Sequence, residues 1–65
     1  MDKPVSLKRL LEDANSHTKI ELYNPMMNKI AEYESKYDVD KQYLLCPAII
    51  EHYDDYTDTL EIRIV

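Results

Sequence analysis

The chain contains no glycine, and that absence limits what it can build more than any motif it carries. Glycine enters positive φ without penalty and lets backbone approach a phosphate closely, and it averages about 7% of residues in proteins. A Walker loop, a dinucleotide-binding fingerprint and a nucleophile elbow all require it, so none of these can form. Left-handed positions must fall to Asn or Asp. Asn15, Asn24, Asp54 and Asp55 are the candidates.

At 65 residues the chain buries only about 60% of the surface its unfolded form exposes, so the core is expected to be thin. Folds this small lean on disulfides, metals or a partner subunit. A single cysteine, Cys46, excludes an internal disulfide, and two histidines, His17 and His52, are too few for a conventional zinc site. Self-association as a homodimer, or a partner protein, is the expected supplement. One free thiol suits a reducing compartment. No run approaches the roughly 18 apolar residues of a membrane span, and "MDKPVSLKRLLEDANSH" lacks the uninterrupted apolar stretch of a signal peptide. The expected location is the cytoplasm, as one domain over residues 1–65.

Apolar periodicity gives the elements. Leu7, Leu10, Leu11 and Ala14 lie on one helical face, with Ser6 as N-cap and Val5 and Leu10 as a hydrophobic staple, which predicts a helix over 7–15. "TKIELY" alternates as a short strand. Asn24 and Pro25 then read as N-cap and first helical residue, and Met26, Ile30, Tyr33 and Tyr37 follow at spacings of four, three and four, which predicts a second helix over 25–37. After the polar link "DVDKQ" comes "YLLCPAIIEHY". Pro47 must sit at an edge, bulge or boundary if this run is a strand, and a third helix starting at Pro47 is the rival. "TLEIRIV" is a strand with one apolar face.

The expected fold is therefore α+β: an α-β-α-β-β order, with a short antiparallel sheet covered on one face by two helices. Met26, Ile30, Leu7, Leu10 and Leu11 would pack on Ile20, Leu22, Ile50, Leu60, Ile62 and Ile64. Unpaired edges of such a sheet offer a route to dimers.

Of the net charge of −5, all but one unit falls in residues 51–65. Direct contact with nucleic acid or an anionic membrane is disfavoured, because both need clustered Lys and Arg. The charge gathers in "EHYDDYTDT". An EF-hand needs alternating acids, a central glycine and a distal Glu; the spacing fails and the glycine is missing, so no metal or cofactor is expected. For catalysis the only nucleophile pattern is Cys46 with His17 or His52, and Cys-Pro inside "LLCPAII" reads instead as a buried small hydrophobe. No enzyme activity is expected.

Six tyrosines, with no Trp or Phe, suit partly buried surfaces and interfaces. Tyr33 and Tyr37 read as core-rim residues. Tyr53 and Tyr56, set among acids, read as contacts. The site expected to bind a partner is Glu51, Tyr53, Asp54, Asp55, Tyr56 and Asp58, in a loop between two strands, with a plain solvated turn as the rival.

Acids at intervals with tyrosines between them can imitate a nucleic-acid backbone. The expectation is a non-catalytic inhibitor or neutraliser of a basic partner such as a nuclease, of the phage-inhibitor, antitoxin or immunity-protein type. The alternative is a structural or assembly subunit that homo-oligomerises or docks on a larger complex. A DNA-reading dimer is the weakest reading, because Glu12 and Asp13 interrupt the basic cluster of Lys8, Arg9 and Lys19.

Overall fold

In a computed structural model, which describes residues 3–65, a short strand β1 (Val5–Ser6) runs straight into helix α1 (Leu7–Glu12). Strands β2 (Lys19–Tyr23) and β3 (Lys29–Tyr33) follow, then a 3-10 turn over Lys36–Asp38 and helix α2 (Lys41–Leu44). Strands β4 (Pro47–Asp54) and β5 (Thr59–Ile64) complete the chain. The described strands form one mixed sheet in the order β1-β4-β5-β2-β3. The Cα radius of gyration, 10.5 Å, matches the roughly 11 Å of a compact chain of this length, so the elements share one core.

The α+β class holds, and the strand reading of residues 47–54 is the one the structure adopts. Pro47 opens β4 opposite Ser6, a strand-start position where a missing N–H is tolerated. Ser6 caps α1 by accepting from the Arg9 N–H at 3.3 Å. The core joins Leu7 and Leu11 of α1 to Ile20, Leu22, Ala48, Leu60 and Ile62 of the sheet, with Val39 from the link before α2.

The arrangement corrects the expected one. The sheet is mixed rather than antiparallel, since β2 and β5 run parallel with Ile20 beside Leu60 and Leu22 beside Ile62. The helix expected over 25–37 is a hairpin turn, an edge strand and a 3-10 turn. The Asn24 carboxamide accepts from the Met26 and Asn28 N–H groups, both at 3.0 Å. The Met27 N–H bonds the Asn24 carbonyl at 2.8 Å, and the Asn24 N–H bonds the Asn28 carbonyl at 2.9 Å. Met27 takes φ +64°. This is a three-residue hairpin loop, a type I turn followed by a left-handed residue.

The same Asn-Pro pair starts helices and turns alike, because both use an Asn side chain to cap nearby N–H groups while proline fixes φ. What decides between them is β2, whose outer backbone groups need partners and find them with Ile20 opposite Tyr33 and Leu22 opposite Ala31. The helical stripe is dismantled: Tyr33 packs at the core, while Met26, Ile30 and Tyr37 are exposed. Ile50, also expected in the core, is 43% exposed, because the short α1 leaves the far half of β4 open.

The face of the sheet away from α1 is charged. Lys29 reaches Glu32 at 2.9 Å and Glu21 at 3.5 Å, which separates two carboxylates that stand opposite each other across β2 and β3. The Lys29 ammonium holds the Glu32 carboxyl below its ordinary value.

Candidate protein-binding hairpin

The β4–β5 hairpin carries all six residues of the acidic, tyrosine-bearing motif. Its register sets Ile50 opposite Ile62, His52 opposite Glu61 and Asp54 opposite Thr59, with an irregularity between Ile50 and His52 that makes Glu51 the extra residue of a bulge. A bulge re-aims its side chain, and Glu51 accepts from the Arg63 guanidinium at 2.6 Å. The only base of the last fifteen residues is thereby committed to one acid.

Asp58 does the structural work of the turn. With no glycine available it takes φ +53° itself, a conformation that Asp tolerates better than most residues. Its Oδ1 accepts from the Thr18 hydroxyl at 2.8 Å and the Tyr53 hydroxyl at 2.7 Å. Its carbonyl accepts from the Lys19 N–H at 2.9 Å. The turn is thus fastened to the start of β2, forty residues away in sequence. The donated bonds from Tyr53 and Thr18 hold the Asp58 carboxyl below the ordinary carboxylate value. The same bond to Asp58, with smaller contributions from burial and from neighbouring acids, holds the Tyr53 phenol above its ordinary value.

Asp54 caps the turn by accepting from the Tyr56 N–H at 2.9 Å. The Thr57 hydroxyl donates to that of Thr59 at 2.8 Å. Asp55 and Tyr56 are left pointing out: both are exposed, Tyr56 at 97%. Neither side chain makes a hydrogen bond or ion pair with the described residues.

The structure thus divides the motif. Glu51 and Asp58 have internal partners, Tyr53 and Asp54 brace the turn, and Asp55 and Tyr56 form the open tip. Sequence reading missed Thr18 and Arg63, which complete the arrangement. Arg63 had a signal, as the lone base among five acids, whereas Thr18 had none, because only the parallel β2–β5 pairing brings it to Asp58.

Cys46 is half-buried, and its thiol lies 3.7 Å from the Gln42 carbonyl. Neither His17 nor His52 is hydrogen-bonded to it among the described residues. The described residues contain no group of three or more His, Cys, Asp or Glu placed to hold a metal ion. Among them, too, no helix is long and apolar enough to cross a membrane. Protein-family models, curated proteins and solved structures, compared with this chain, include no match.

Proposed function

We propose that this chain is a small non-catalytic binding protein of the cytoplasm that covers a basic site on a partner protein. It inhibits or neutralises that partner, a nucleic-acid-acting enzyme such as a nuclease, in the manner of phage inhibitors, antitoxins and immunity proteins. The supporting observation is Tyr56, 97% exposed on a turn whose backbone is fastened by Asp54, Asp58 and Thr18. The ring makes no contact with the protein's own core, so its apolar area is free for a partner. A turn ordered in advance avoids part of the binding cost, about 0.5–1.5 kcal/mol for each side chain that need not be immobilised. The acids beside it steer a basic partner, raising association rates towards about 10⁸–10⁹ M⁻¹s⁻¹ at low salt.

The test is capture of partners from the native cell with the wild-type chain as bait, followed by rate measurements on the captured protein. Tyr56→Ala is expected to speed dissociation by about 30-fold, the effect of losing a 2 kcal/mol hot spot. Asp54→Asn with Asp55→Asn is expected to slow association and flatten its salt dependence. If both variants bind as the wild type does, the hairpin is not the contact.

A second reading, assembly through a sheet edge, is favoured by Met26, Met27 and Ile30, which stand 81%, 46% and 41% exposed on the β2–β3 turn and the edge strand β3. Sedimentation separates the two: a dimer abolished by Ile30→Lys supports assembly through β3, and a monomer at all concentrations removes it.

A further inference from the structure

Strand β4 has eight residues, yet its ladder with β1 ends at Val5 opposite Ala48. From Ile49 to Asp54 its outer side has no partner strand among the described residues. Helix α1 has six residues, about 9 Å of helix, and cannot cover a strand of about 27 Å. The β4 side chains beyond its reach are therefore left open on the core side, with Ile50 at 43% and Tyr53 at 47% exposure.

A groove of about 200 Å³ results, floored by Leu10, Ala14, Ile50, Tyr53 and Leu60. Small-molecule sites run to about 300–1,000 Å³, so this one has the size of a side-chain anchor. Leu10 and Ile50 also wall an adjoining hollow with Lys3, Val5, Ala48 and Ile49, so the track follows the edge of β4 that is unpaired among the described residues, apolar except for the Lys3 ammonium at its β1 end. Its end nearest the hairpin tip is acidic. Asp13 lines the groove, and Asp58 is held against it by the hydroxyls of Thr18 and Tyr53, both lining residues.

We infer that this track is a docking site for an extended segment of the basic partner, one that lies along the outer edge of β4, places a large apolar side chain between Leu10 and Ile50, and sets a Lys or Arg beside Asp13 and Asp58. The inference rests on the proposed function for the partner's charge. An added strand uses its main chain for affinity and its alternate side chains for specificity. Here the alternation sends one side chain in two into the groove.

The probe is the capped peptide Ac-Leu-Thr-Leu-Thr-Lys-Thr-Arg-NH₂, whose apolar and basic side chains share one face of an extended strand, titrated into the ¹⁵N-labelled full chain, with the same peptide carrying Glu at every Lys and Arg as control. The expected result is saturable shifts at Leu10, Ala14, Ile50 and Tyr53, slowed amide exchange over 49–54, and at least about tenfold weaker binding of the acidic peptide. Ile50→Lys, at a half-exposed site, is expected to abolish the shifts. Ala14→Lys at the opposite wall does the same should the first variant not fold. Leu45→Ala, on the exposed end of α2, leaves them unchanged.

The inference is overturned by no saturable shift up to about 1 mM basic peptide, by equal binding of the acidic peptide, or by shifts confined to the charged face around Glu21 and Glu61. Protection of 49–54 through self-association without peptide assigns the edge to a second copy and overturns it too. Should the peptide fail while Tyr56→Ala still disrupts partner capture, the groove is excluded and the hairpin reading stands.

Discussion

Two hairpins in this protein meet the same problem, a left-handed residue in a chain without glycine, and they solve it differently. The β4–β5 turn uses Asp58 at φ +53° and makes its carboxylate the fastening point for Thr18 and Tyr53. The β2–β3 turn uses Met27 at φ +64°, which offers no side-chain hydrogen bond. There the bonding falls to Asn24, and Met26 and Met27 are left in solvent. One turn converts its backbone cost into tertiary order. The other simply bears it.

The largest effect is expected where the hairpins share a spine. Ile20 of β2 and Ile62 of β5 are fully buried on adjacent parallel strands, and Ile62→Ala should cost about 2–5 kcal/mol. In a chain this small that is much of the total stability. Urea denaturation followed at Tyr53 and at Tyr33 should show both hairpins lost in one transition. Separate transitions would break the comparison, by making the two turns independent units.

A smaller effect should come from Asp58, and here the fastening can be separated from the backbone geometry. Asp58→Gly keeps the left-handed position open and removes the carboxylate, whereas Asp58→Ala removes both. Both should lower the melting temperature, Ala more than Gly, and both should bring the Tyr53 phenol back towards its ordinary value, read by ultraviolet titration. The wild-type carboxyl titrates below its unfolded value. Its stabilisation is therefore complete above about pH 4 and is lost as the pH falls through the folded value, because the unfolded chain takes the proton first. Asp58→Asn should flatten that acid limb of stability against pH. An unchanged limb would mean that the fastening contributes nothing.

The smallest effect should be a gain. A non-glycine residue at positive φ costs about 1–2 kcal/mol, and glycine returns part of this through greater freedom in the unfolded chain, about 0.4–1 kcal/mol. Met27→Gly should therefore stabilise by about 0.5–1 kcal/mol by urea denaturation, since its side chain is half in solvent. The corresponding change at Asp58 is expected to destabilise. Opposite signs at two positions of nearly the same φ would sharpen the contrast between a turn that is used and a turn that is only tolerated.

The residues themselves determined β2, β5 and the start of α1, because each carries its signal locally: Ser6 at a cap, Ile20 and Leu22 alternating, and Leu60, Ile62 and Ile64 on one face. They left β4 open between strand and helix, and α1 ends at Glu12 rather than at residue 15. They set the acidic motif in a loop between two strands, whereas Glu51, Tyr53 and Asp54 lie within β4. They gave the left-handed positions to Asn15, Asn24, Asp54 or Asp55, whereas Met27 and Asp58 take them, because hairpin register and not residue preference decides where φ must turn positive. Tertiary structure alone decided residues 25–37, since an Asn-Pro pair and a three-four apolar spacing serve a helix or a hairpin equally well until the unpaired edge of β2 is present to claim one. It also decided that β2 and β5 run parallel, which carries Thr18 to Asp58. Local pattern records which face of a segment is apolar. Which backbone groups remain to be satisfied, and by what, depends on neighbours distant in sequence.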